Sequence, residues 1–171
     1  MADSDTLYKL IVLYMLSRVD FPLTNAQISD FILEKGYTDF FTLQSVLADL
    51  EDGQMIRAET IRNCSYYTIL DAGEEVLKYF HNRISPTIRR ELDQYMADNK
   101  IQMRDDVSVL ADYYKNTEGD YSVRCVVKEK QANLIDLTIM VPYEDQARAA
   151  CRSWKEHSQS IYKYVFKELL G

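Results

Sequence analysis

The hydrophobic positions fall into helical periods, then strand alternation, then helical periods again. Leu7, Leu10, Ile11 and Tyr14 recur at helical spacing, which predicts a helix from about Ser4 to Arg18 with Ser4 or Asp5 as its cap. Pro22 disfavours helix at Phe21, so Phe21-Pro22-Leu23 reads as a short extended stretch. Thr24-Asn25-Ala26-Gln27 has the form of a capping box, in which Thr24 accepts from the Gln27 backbone and Gln27 reaches back. The helix it opens carries Ile28, Phe31 and Ile32, and it stops at Gly36. Thr38 or Asp39 caps a third helix whose inward row is Leu43, Val46, Leu47 and Leu50, with Gly53 expected to end it in the left-handed conformation.

Two strand-like runs follow, Met55 to Ile61 and Tyr66 to Leu70, joined by Arg62-Asn63-Cys64-Ser65. Asp71-Ala72-Gly73-Glu74 reads as a second capping box, opening a helix with Val76, Leu77, Phe80 and Ile84 on one side. The order helix, extension, helix, helix, hairpin, helix is that of a winged helix-turn-helix, and we assign it to residues 1–84.

The pattern changes at Ser85-Pro86. Ser85 caps and Pro86 starts a helix to about Asn99, with Ile88, Leu92, Tyr95 and Met96 as its stripe. Three strands are expected at Val107 to Tyr114, Tyr121 to Lys128 and Leu134 to Val141, forming an antiparallel meander. Ala147, Ala150, Cys151 and Trp154 then line one helical stretch and Ile161, Tyr164, Val165 and Leu169 another. The polar His157-Ser158-Gln159-Ser160 between them predicts a break. The fold class is α+β, with a second module over residues 85–171 for dimerisation or ligand sensing.

Composition narrows the chemistry. Of 171 residues, 20 are Lys or Arg and 27 are Asp or Glu, a net charge of -7. Gly and Pro number only 5 and 3, which leaves little material for glycine-rich phosphate loops. No run approaches the roughly 18 apolar residues of a membrane span, and the acidic start is no signal peptide; we expect a cytoplasmic chain without membrane contact. Cys64, Cys125 and Cys151 are odd in number and far apart, and only His81 and His157 could join them. Neither a disulfide framework nor a metal site is expected, and no cofactor. Adjacent carboxylates such as Glu51-Asp52 and Glu144-Asp145 point in different directions from a helix, so they make no acid–base pair, and we expect no enzyme.

In a helix-turn-helix the second helix of the pair meets base edges. Its outward residues here are Thr42, Gln44, Ser45, Ala48 and Asp49. Gln44 could pair with adenine, and Thr42 or Ser45 could contact phosphate or base. Arg57 and Arg62, with Asn63 at the ribbon tip, are the candidate phosphate contacts. Against this, Thr38 to Gln54 holds no Lys or Arg, and residues 1–85 carry 7 basic and 13 acidic side chains, a balance of -6. Two readings follow: a DNA-binding regulator, or a protein-interaction or ligand-sensing module on the same scaffold. A free sheet face carrying Leu110, Val126, Leu134 and Met140 would suit a homodimer contact.

The step Tyr66-Tyr67-Thr68-Ile69 into Asp71-Ala72-Gly73-Glu74 resembles the strand-to-helix junction of PadR-like and MarR-like regulators. Asp20 to Asn25, Phe31 to Glu34, Tyr113-Tyr114, Val141-Pro142, and Trp154 with Ile161-Tyr162 are similar to the bacterial domain-of-unknown-function 4364 family. That resemblance implies a winged-helix N-terminal part and a family-specific C-terminal part, and it confers no activity.

Overall fold

A computed structural model describes residues 2–61, 64–129 and 132–171. The fold is mixed α+β, with six α-helices and two three-stranded antiparallel sheets among the described residues. The chain divides into two compact units, 1–103 and 104–171. The change of sequence pattern at Ser85-Pro86 lies inside the first unit.

The first unit is built on α1 (Ala2–Ser17). Its residues Leu10 to Leu16 are all buried, not only the expected stripe, because α3, α4 and β3 each take a side of it. β1 (Leu23–Thr24) leads into α2 (Asn25–Glu34), and the Thr24–Gln27 capping box forms as read from the sequence. The Gln27 amide also donates to the Met103 carbonyl, 3.1 Å away and buried. Gly36, at φ +70°, turns the chain toward α3 (Phe40–Asp52). Asp39, not Thr38, caps α3 by accepting from the Thr42 backbone N–H at 2.8 Å.

Gly53 is not left-handed as expected. Its φ is -79°, and the positive φ of 58° falls on Gln54. β2 (Ile56–Ile61) and β3 (Cys64–Ile69) pair antiparallel, and β1 joins the other edge of β3, giving the order β1-β3-β2. Cys64 and Ser65 thus belong to the strand, not the loop. Ile56 and Tyr67 turn to the core.

The second capping box does not form. Leu70 occupies the cap of α4 (Asp71–Phe80), with no side-chain bond. Gly73 has a different duty: a Cβ there would stand 2.4 Å from the Met55 carbonyl oxygen and 2.9 Å from Leu13. A glycine in a helix costs about 1 kcal/mol, and here close packing requires it. Phe80 is exposed, not on the buried stripe. A short 3-10 turn (His81–Arg83) precedes α5 (Pro86–Ser108), which Ser85 caps through the Ile88 N–H. α5 outruns its expected end at Asn99. No Gly or Pro interrupts it, and Leu92, Met96, Met103 and Val107 continue one buried row. Tyr14 donates to Asp93 and Tyr37 to Glu91, tying α5 into the first unit.

The second unit is a meander of β4 (Val109–Lys115), β5 (Tyr121–Glu129) and β6 (Ala132–Val141), in the order β4-β5-β6. α6 (Glu144–Leu170) covers one face, chiefly over β4 and β5. Val123, Cys125, Ala147 and Trp154 form the core, and the Trp154 indole donates to the Val126 carbonyl at 3.2 Å.

α6 runs unbroken through 157–160, where a break was expected. The polar side chains satisfy themselves on the preceding turn: His157 Nδ1 donates to the Ser153 carbonyl and Ser160 to that of His157. On the sheet's other face Val126 is buried and Leu110 half-buried, so only Leu134 and Met140 of the expected patch are exposed.

Candidate nucleic-acid interface

Leu43, Val46, Leu47 and Leu50 bind α3 to the core. Their spacing leaves Ser45, Ala48 and Asp49 exposed, with Thr42 and Gln44 half-buried. The N-cap Asp39 stands at the head of this face. The Thr42 backbone N–H, and then its side chain, hold the Asp39 carboxyl below the usual carboxylate range.

Gln44 is not the open reader that its position suggested. Asn25, at the start of α2, donates to the Gln44 carbonyl oxygen at 2.8 Å, and the Gln44 amide donates back to Asn25 at 3.1 Å. Ser29 also donates to the Asn25 oxygen, and the Tyr67 hydroxyl of β3 lies 3.4 Å from its nitrogen. A primary amide has two donors and two acceptor sites, so each group keeps some capacity. The edge that would grip adenine with one donor and one acceptor is the edge that Asn25 occupies.

Charge on α3 is graded along its length. Asp49, Glu51 and Asp52 lie in its last turns, and Asp49 is paired with Lys9 of α1 at 3.4 Å. The first two turns expose only uncharged residues beyond the cap. By helical rise, Ser45 and Asp52 are separated by about 10 Å along the axis.

Alternation on β2 turns Ile56 inward and Arg57 and Glu59 outward. Arg57 is exposed and has no hydrogen-bond or ion-pair partner among the described residues. Across the ladder it faces Thr68, and Glu59 faces Tyr66. Burial, with a hydrogen bond to Cys64, pushes the Tyr66 hydroxyl up to about 12. The other ribbon candidates, Arg62 and Asn63, lie outside the described residues.

One feature of this face escaped the sequence reading. Phe40 and Phe41 open α3, and Phe41 is 83% exposed, its ring edge-on to Phe40 with centroids 5.9 Å apart. The signal was available: successive helical residues diverge by about 100°, so two neighbouring aromatics cannot both turn inward.

Among the described residues, no group of three or more His, Cys, Asp or Glu is placed to hold a metal ion, and no helix is long and apolar enough to cross a membrane. The three cysteines form no disulfide; burial raises the Cys125 thiol to about 11.

A mixed α+β chain of this organisation matches, over residues 8–169, the family described as a domain of unknown function, DUF4364. The chain belongs to that family. No curated protein and no solved structure matches it.

Proposed function

We propose that residues 1–84 act as a winged helix-turn-helix of the PadR-like and MarR-like kind, and that the chain is a homodimeric bacterial transcriptional regulator binding duplex DNA. The observation carrying this is the uncharged stretch Thr42 to Ala48 of α3, whose outer side presents Ser45 and Ala48 exposed and Thr42 half-buried, in the same unit as a ribbon that offers an Arg57 unpaired among the described residues. Small polar residues suit entry into the major groove, and an exposed cation on the ribbon suits phosphate. The acids of α3 fall in its last turns, and Lys9 offsets one of them. In this reading Ser45 and Thr42 meet the groove, Arg57, Arg62 and Asn63 meet the backbone, and Gln44 holds the two helices in register. Electrophoretic shift of genomic fragments at low salt tests it. Retarded fragments support the reading, and no shift at micromolar protein overturns it.

Dimerisation is assigned to β6. This strand has a neighbour on one side only, and Leu134, Ile139 and Met140 are exposed along it. Exposed edges are normally guarded by charge. The one charge here, Asp136, is engaged and partly offset by Arg124 of β5 through bonds of 3.0 and 2.7 Å. The alternation of apolar and polar residues from Leu134 to Met140 is symmetric about Leu137. An antiparallel pair centred there sets Ile135 against Ile139, Leu134 against Met140, and Asp136 against the Thr138 hydroxyl. Centring on Asp136 would oppose like charges. A second copy of β6 is therefore the complementary occupant. Light scattering should give a dimer at high micromolar protein, weakened in Thr138→Asp and kept in Thr138→Lys. A 20.0 kDa monomer, or a dimer indifferent to Thr138→Asp, refutes this pairing.

A second reading has its own observation. The Phe40–Phe41 pair, with no cation on α3, suits an apolar protein partner rather than DNA. Phe41→Ala separates the two, because it should leave phosphate-driven binding intact and abolish an aromatic-anchored contact.

A further inference from the structure

The first unit is acidic, yet several of its few cations converge on one cleft of about 370 Å³ between α1, α4 and α5. Arg18 follows α1, Lys78 lies on α4, and Arg89 lies on α5; His81, in the 3-10 turn, completes the basic lining. Glu74 is the one acid among the lining residues. Leu77 and the Tyr14 ring, both buried, supply an apolar floor.

These cations are not equally engaged. Arg18 stacks over the Tyr14 ring at 4.5 Å and lies 3.4 Å from Asp93, so it is held in place with its charge offset. Lys78 has no side-chain partner among the described residues. The Arg89 Nε is buried and lacks a hydrogen-bond partner. A buried donor left unmade costs about 1–3 kcal/mol, and native structures rarely tolerate one without a reason. An acceptor supplied from outside would remove that cost.

We propose that this cleft binds a small organic oxyanion, with its carboxylate or phosphate oxygens on Arg89 and Lys78 and its body on Leu77 and Tyr14. A guanidinium fork matches either oxyanion in two parallel hydrogen bonds. The volume falls near the lower end of small-molecule sites, about 300–1,000 Å³, and exceeds what a bare inorganic ion needs. The site stands independently of the α3 face, so failure to bind DNA does not bear on it.

Titration of the full chain with inorganic phosphate, adenosine monophosphate and succinate, with adenosine as the neutral control, tests the proposal by calorimetry and amide chemical shifts. Saturable binding is expected for adenosine monophosphate or succinate, whichever carries the favoured oxyanion, with shifts in α4 and α5 and none from adenosine. Loss of one charge-assisted bond in Arg89→Ala or Lys78→Gln should weaken it about tenfold or more. Lys78 is exposed, so its variant keeps the test valid if Arg89→Ala unfolds. Glu74→Gln should tighten binding by removing the opposing charge. No saturable binding of adenosine monophosphate or succinate, binding of inorganic phosphate alone, or affinity unchanged in both Arg89→Ala and Lys78→Gln, overturns the site.

Discussion

Asn25 and Gln44 hold each other's amides edge to edge, at 2.8 and 3.1 Å, across the turn between α2 and α3. The pair fixes the relation of the two helices and, under the proposed DNA reading, gives Gln44 a positioning role. Gln44→Ala should lower stability by about 1 kcal/mol in urea denaturation. The double variant with Asn25→Ala should show coupling of about the same size. Affinity for DNA should change less than in Ser45→Ala. A loss of affinity with stability unchanged would return Gln44 to the role of base reader.

Gly73 brings α4 against the Met55 carbonyl and Leu13. Gly73→Ala gains helix propensity but forces backbone to move, and overpacking of this kind costs about 1–3 kcal/mol. A lower midpoint in chemical denaturation is expected. A stabilised variant would show that the α4 approach is looser than described.

The Asp39 cap sets a pH dependence. Its folded pKa lies below the unfolded one because the ionised carboxylate accepts the Thr42 N–H. Its contribution is therefore present at neutral pH and is lost as pH falls through the folded value, below the usual carboxylate range. Asp39→Ala should lower the denaturation midpoint at neutral pH, with the gap to the parent chain closing in acid. Asp39→Asn should keep a cap without that acid dependence.

Much of the first unit was legible in its sequence. The Thr24–Gln27 box, the inward row of α3 and the ribbon all follow from local pattern, and local pattern places them well. The misses have non-local causes. Gly73 looked like part of a cap because its true neighbour, Met55, contacts it only once the chain folds. The Asn25–Gln44 bond spans two helices and leaves no trace in spacing. The expected break in α6 failed because His157 and Ser160 bond to carbonyls of their own helix. Caps and such back-bonds use the same residue types.

Arg57 separates the two readings of the α3 face. Under the DNA reading, Arg57→Ala should weaken binding across all sequences and reduce the salt slope by about 1, whereas Phe41→Ala should leave that slope unchanged. An unchanged slope in Arg57→Ala would remove the ribbon from the contact.

The most direct measurement is titration of isotope-labelled full-length protein with a retained genomic duplex, followed through backbone amide shifts. The account predicts that the largest perturbations fall on Thr42, Ser45, Ala48 and Arg57, with the α6 amides little changed. Absence of saturable perturbation on α3 and the ribbon, or perturbation confined to other elements, would contradict it.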